Sequence, residues 1–194
     1  MKKDANFNNL KTIKVKGTVK WAHVWQPAMY QGNPLGYEID LYPDADKLPK
    51  IEEYLLQTFA DAVEDMDAIN MKVEPTLPIK EDKEGVQFIK AKAKHQYQNR
   101  TTGEMVKRVL PIFDKYGQPL AEGTLIGNGS ELNVVLRVRP YRVTSKNFGI
   151  ALDIQAIQVL NLVEYGAKSA IDYGFDVEEP TDITDVNSLE VEDF

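Results

Sequence analysis

Cysteine is absent from the 194 residues, which excludes disulfides and thiolate metal sites and fits a reducing compartment. Histidine occurs only as His23 and His95, too few for a zinc site without carboxylate help. No apolar run reaches the roughly 18 residues of a membrane helix, and Met1-Lys2-Lys3-Asp4-Ala5-Asn6 leads into no apolar signal region. Neither export nor membrane spanning is expected, and the chain reads as cytoplasmic. Phosphate-binding P-loop, GxSxG and HExxH motifs are missing, and Gly127-Asn128-Gly129-Ser130 lacks the following lysine of a nucleotide loop. No enzyme and no cofactor are therefore expected. The enzymatic alternative is a carboxylate-metal nuclease, which magnesium-dependent loss of substrate would reveal. The sequons Asn99-Arg100-Thr101 and Asn128-Gly129-Ser130 mark loops only.

Positive charge is missing from the last stretch. Asp172 to Phe194 holds nine Asp or Glu and no Lys or Arg, so this tail outweighs the formal net charge of -7 and leaves the rest at +2. Residues 38–84 hold 14 acids and five bases; the remainder before the tail has 18 bases and seven acids. A basic β surface, an acidic helical insertion and an acidic tail point to a polyanion binder that carries its own competitor. A tail serving solubility alone is the plainer alternative. Phe194, following Glu192 and Asp193, argues instead for a partner contact by these three residues, because an apolar end adds nothing to solubility.

Residues 13–21 alternate, with Ile13, Val15, Val19 and Trp21 on one face and Lys14, Lys16, Thr18 and Lys20 on the other. The spacing predicts a half-buried strand with Trp21 in the core and the lysines solvated. Trp25 to Gly36 contains two prolines and two glycines and is expected to be a loop bearing Trp25, Met29 and Tyr30. Tyr37–Tyr42 gives a second strand with Ile39 and Leu41 inward. Leu48, Ile51, Leu55, Phe59, Val63 and Met66 then follow at helical spacing, with Pro49 in the first turn and Glu52, Glu53, Asp61, Glu64 and Asp65 on the solvated face. Further strands are expected over 86–96, 105–113, 131–141 and 149–163.

These elements imply an all-β chain with one inserted helix: an OB-fold-like barrel of five to six strands, because closure removes exposed sheet edges. A β-sandwich with a covering helix is the alternative. Residues 1–171 form one domain in this reading, with the helix insertion at about 47–69, and 172–194 form a flexible, disordered acidic tail.

Candidate binding residues follow from the alternation. Phe88, Lys90, Lys92 and Lys94 share one face of their strand, opposite Ile89, Ala91 and Ala93. Leu132, Val134, Leu136 and Val138 point inward, which turns Arg137, Arg139 and Tyr141 outward; Arg142 and Lys146 extend the patch, subject to a bulge at Pro140. With Trp25 and Tyr30 this combination suits a single-stranded nucleic acid. Cations track phosphates, and rings stack on bases regardless of sequence. Tyr141 is balanced between core and platform, and Phe88 leans towards core.

The stretches Gly32-Asn33-Pro34-Leu35-Gly36-Tyr37-Glu38-Ile39-Asp40-Leu41, Ile126-Gly127-Asn128-Gly129-Ser130-Glu131-Leu132, Arg139-Pro140-Tyr141 and Asp193-Phe194 occur in an order that resembles the single-stranded DNA-binding proteins of short-tailed bacteriophages. The resemblance implies an OB-fold protein of the host cell cytoplasm that coats single-stranded DNA in phage replication and recombination and promotes annealing. It further implies an acidic tail that contacts replication proteins such as a DNA polymerase or a helicase-primase. Leu35 departs from the family, which can carry a basic residue there. A homodimer is left open. The non-enzymatic alternatives are an acidic decoy that mimics DNA and a structural OB-fold protein without nucleic-acid binding.

Overall fold

The structure, a computed structural model, describes residues 11–63 and 73–164. β1 (Thr12–Tyr30) and β2 (Asn33–Pro43) form a long antiparallel hairpin, so the segment expected as an aromatic loop is instead a β arm. Its turn holds Gln31 and Gly32, both at positive φ (49° and 81°), between the paired residues Tyr30 and Asn33. A two-residue turn of this hand matches the twist of the strands. Pro27 is accommodated because the register is interrupted between His23 and Ala28, where no ladder donor is required.

The helix α1 (Leu48–Val63) begins with Pro49 in its first turn, buries Leu48, Leu55 and Phe59, and exposes Glu52, Glu53 and Asp61. Met66, Glu64 and Asp65 lie outside the described residues. The chain returns through β3 (Ile79–Glu81) to β4 (Gln87–Ala93), where Ile89, Ala91 and Ala93 are buried as the alternation requires. The single strand expected over 105–113 is two short pieces. β5 (Gln96–Gln98) pairs with β6 (Met105–Lys107) in a separate hairpin, while β7 (Ile112–Phe113) joins the main sheet. Between them Arg108 donates its amide to the His95 carbonyl and Leu110 turns into the core, ending the strand direction of β6. β8 (Glu131–Thr144) and β9 (Asn147–Asn161) close the fold.

β1 pairs with β2 and β8, β2 with β4, β8 with β9, and β4 meets β9 in parallel at Lys92 and Asp153. The ring β1–β2–β4–β9–β8 is a closed five-stranded barrel with OB-fold connectivity. Its interior is filled by fully buried aliphatic residues from every strand, including Val19, Ile39, Leu41, Ile89, Leu132, Val134, Leu136 and Ile154. α1 docks on this core through Phe59, whose ring stacks on Phe148 of β9 at 5.7 Å.

Gly149 marks a close approach. Thr76 donates its amide to the Phe148 carbonyl and accepts from the Ile150 amide, so the backbone after the helix crosses directly over Gly149. A Cβ there would collide with the Thr76 backbone. Gly149→Ala is expected to cost about 1–3 kcal/mol, as overpacked cores do. A thermal midpoint that is unchanged in Gly149→Ala would show that Thr76 does not cross there.

Candidate nucleic-acid interface

The register brings charges from four strands into one row. Arg137 on β8 opposes Asp153 on β9, Asp153 opposes Lys92 on β4, and Lys92 opposes Glu38 on β2. The neighbouring pair is Asp40 with Lys90. Lys90 bonds Asp40 at 2.8 Å and reaches Glu38 at 3.7 Å, Lys92 pairs with Glu38 at 3.2 Å, and Arg137 and Arg139 share Asp153 at 3.1 Å each.

Sequence patterning presents these four cations as free; each has a carboxylate partner because cross-strand neighbours are invisible in a linear pattern. The exposures show which partner faces the solvent. The side chains of Glu38, Asp40 and Asp153 are 18%, 13% and 17% exposed, whereas Lys92, Arg139 and Arg137 are 56%, 41% and 35% exposed. The carboxylates are the more enclosed partners, which leaves part of each longer cationic side chain open to solvent, while Arg137 buries its Nε without a partner. Lys90, at 22%, is the most enclosed of the four.

Lys94, Arg142 and Lys146 are exposed and make no ion pair among the described residues. Lys94 follows the end of β4, and Lys146 occupies the β8–β9 turn. Alternation puts Tyr141, which is half-buried, on the same side of β8 as Arg137 and Arg139, and Arg142 on the opposite side. The β1–β2 turn, with Tyr30 62% exposed, lies beyond the Ala93 end of the β2–β4 ribbon. Because β9 runs parallel to β4, the β8–β9 turn lies beyond the other end. The two turns thus bracket the charged row.

The aromatic candidates divide. Phe88 is buried outside the barrel core, its ring stacked on Tyr42 at 5.3 Å, so it is not available to stack on a base. Lys20 sits over the Tyr42 ring at 4.5 Å and pairs with Asp82, which also accepts from the Tyr42 hydroxyl. The Val86 amide holds the Asp82 carboxyl below the usual carboxylate range, with the Glu84 amide, Lys20 and Tyr42 acting in the same direction against partial burial. That end of the face is structural. Trp25 belongs to β1, not to a loop; it is half-buried against the core and donates Nε1–H to the Thr124 carbonyl at 2.9 Å.

Trp21 reverses its expected place: it is 58% exposed. Val15 and Val19 face the core, as does Val24, so the inward parity of β1 slips by one residue between Val19 and Val24. Trp21 sits at this bulge with φ at 56°. A bulge of this kind flips subsequent side chains, and no local signal in the sequence marks it. Its anchor is distant: the Trp21 amide donates to Asn128 Oδ1 at 2.9 Å. Tyr97 on β5, 51% exposed, is a second ring that the sequence patterning passed over.

Among the described residues no group of three or more His, Asp or Glu is placed to hold a metal ion, and no helix is long and apolar enough to cross a membrane. The proposed tail contacts Glu192, Asp193 and Phe194 lie outside the described residues.

Residues 41–164 match the family model described as the single-stranded DNA-binding protein of bacteriophage T7. The chain is 25% identical over 169 residues to the single-stranded DNA-binding protein of Enterobacteria phage T3, covering 76% of this chain and 72% of the relative. It is 26% identical over 166 residues to that of Escherichia phage T7, covering 76% and 71%. Among solved structures, gp2.5, a single-stranded DNA-binding protein encoded by bacteriophage T7, superposes with a TM-score of 0.63 at 24% identity, over 88% of this chain and 97% of that one. The single-stranded DNA-binding protein of bacteriophage Enc34 in complex with ssDNA gives 0.57 at 17% identity, over 80% and 89%. The two structures share the barrel; the match over residues 41–164 establishes that this chain belongs to the bacteriophage T7 single-stranded DNA-binding protein family.

Proposed function

We propose that this protein binds single-stranded DNA without sequence preference across the outer face of β2, β4, β9 and β8, in support of phage DNA replication, recombination and strand annealing. The observation that carries the reading is the cross-strand row in which Lys92, Arg137 and Arg139 reach solvent beside more enclosed carboxylates. Lys94, Lys146 and Tyr141 extend it, and the turns bearing Tyr30 and Lys146 bound it; Arg142, on the opposite side of β8, stands outside it. Backbone phosphates bind such cations with release of counterions, while exposed rings favour unpaired bases over a stacked duplex.

The acidic segment 172–194 competes for the same cations, tethered at high effective concentration. DNA displaces it, freeing Glu192, Asp193 and Phe194 for a replication protein with an apolar slot rimmed by Lys or Arg.

Anisotropy titrations of labelled oligo-dT and a matched duplex, from about 50 to 200 mM salt, test both parts. The single strand should be preferred, with a log-log salt slope of about -0.7 per phosphate contact. Truncation after Ala170 should tighten binding about tenfold at low salt and less as salt screens the tail. Equal affinity for the truncated and intact chains at low salt would remove the competition; no binding by either would remove the DNA-binding reading.

A further inference from the structure

We propose that Trp21 stacks on a base of the bound single strand, and that the hollow between the second half of β1 and residues 123–128 receives that base. The proposal rests on the DNA-binding reading above and adds to it a site that the charged row does not contain.

The hollow measures about 440 Å³ and is lined by Trp21, His23, Trp25, Leu125, Ile126 and Asn128. Sites of this size commonly receive small organic groups. Along its rim Trp21 is 58% and Leu125 63% exposed, while Ile126 is buried in the floor. Trp25 supplies a second, fixed ring, tethered through Nε1–H to the Thr124 carbonyl. A planar, largely apolar guest with polar edges fits this chemistry, as a nucleobase is.

Two costs converge on Trp21. A bulky residue at φ 56° is strained, and a tryptophan left in water forfeits the burial its ring would otherwise gain. Removing the bulge would relieve both, since regular alternation would turn Trp21 inward after Val15 and Val19. The fold instead fixes the outward position. Val19 exchanges backbone hydrogen bonds with Gly129 and Ser130 at 2.8 and 2.9 Å, and Asn128 Oδ1 takes the Trp21 amide. These contacts fix the backbone that turns the ring outward before any ligand arrives, which limits the ordering cost of binding to the side chain.

The hollow also adjoins the phosphate path. His23 at its edge opposes Glu38, whose other neighbour is Lys92 in the charged row. A strand tracking that row passes the mouth of the hollow at β1, where one unpaired base can turn in. A duplex cannot offer a base in this way without unpairing it.

Trp21 and Trp25 are the only two tryptophans in the chain, so each can be made the sole reporter. In full-length Trp25→Phe, oligo-dT should quench Trp21 emission in parallel with the anisotropy change. Trp21→Ala should weaken oligo-dT binding about 5- to 150-fold, the loss of one stacked base, with the salt slope unchanged because no cation is removed. Trp21→Phe should recover most of that affinity. Trp21 emission that stays constant while oligo-dT binds, or wild-type affinity in Trp21→Ala, would overturn this site and leave DNA binding intact. Failure of the wild-type chain to bind oligo-dT would overturn both. Since the quenching arm keeps Trp21 in place, it does not depend on how well Trp21→Ala folds.

Discussion

Phe148→Ala should destabilise the protein by about 3–5 kcal/mol, the usual range for a large aromatic removed from a packed core. Phe148 is 2% exposed at the start of β9, and its ring lies on Phe59 of α1 with the planes within 13° of parallel. It joins three parts of the fold: the barrel, the helix, and the returning backbone at Thr76, whose amide bonds to the Phe148 carbonyl. Alanine leaves a cavity between elements that cannot close on it without moving the helix. Against a typical total of about 5–15 kcal/mol, such a loss brings unfolding within easy reach. Urea unfolding followed by far-UV circular dichroism would measure it. A loss below about 1 kcal/mol would mean that α1 is not docked through this stack. Phe148→Leu keeps most of the volume and should retain much of the stability.

Removing four outward cations together, in Lys92→Ala/Lys94→Ala/Arg139→Ala/Lys146→Ala, should weaken oligo-dT binding more than about 100-fold near 50 mM salt and flatten the salt slope by about 3, as expected for four lost phosphate contacts. These cations face the solvent from β4 and the residue following it, from β8 and from the β8–β9 turn, so their deletion removes no core contact. The control, which removes two cations, is Lys14→Ala/Lys16→Ala on β1. Both control lysines are exposed near α1, and Lys16 pairs with Glu131, away from the charged row. The control should leave the slope unchanged. An equal loss per cation removed in the two variants would mean that net charge alone, without a defined path, drives binding. The tryptophan site predicts the complementary pattern of lower affinity at constant slope, so phosphate and base contacts separate experimentally.

The sequence by itself determined the interior. Leu132, Val134, Leu136 and Val138 are buried in the order their alternation dictates, and Leu48, Leu55 and Phe59 face inward at helical spacing, because periodicity of burial is a local property of each element. The β-rich class with one inserted helix follows from those elements, and the ordered motifs pointed to the family, whereas barrel over sandwich was decided by the β1–β8 and β4–β9 pairings. Tertiary structure decided the surface. Glu38, Asp40 and Asp153 pair with cations from neighbouring strands only once strand pairing sets the β2–β4 and β8–β9 registers. Pro27 and Pro34 read as loop signals, yet they sit in strands where bulges and the hairpin end relieve them of ladder bonding. Trp21 shows the limit most clearly. Its outward turn depends on a bulge secured by Asn128, 107 residues along the chain, and a pattern that repeats every two residues contains no information about a contact made at that distance.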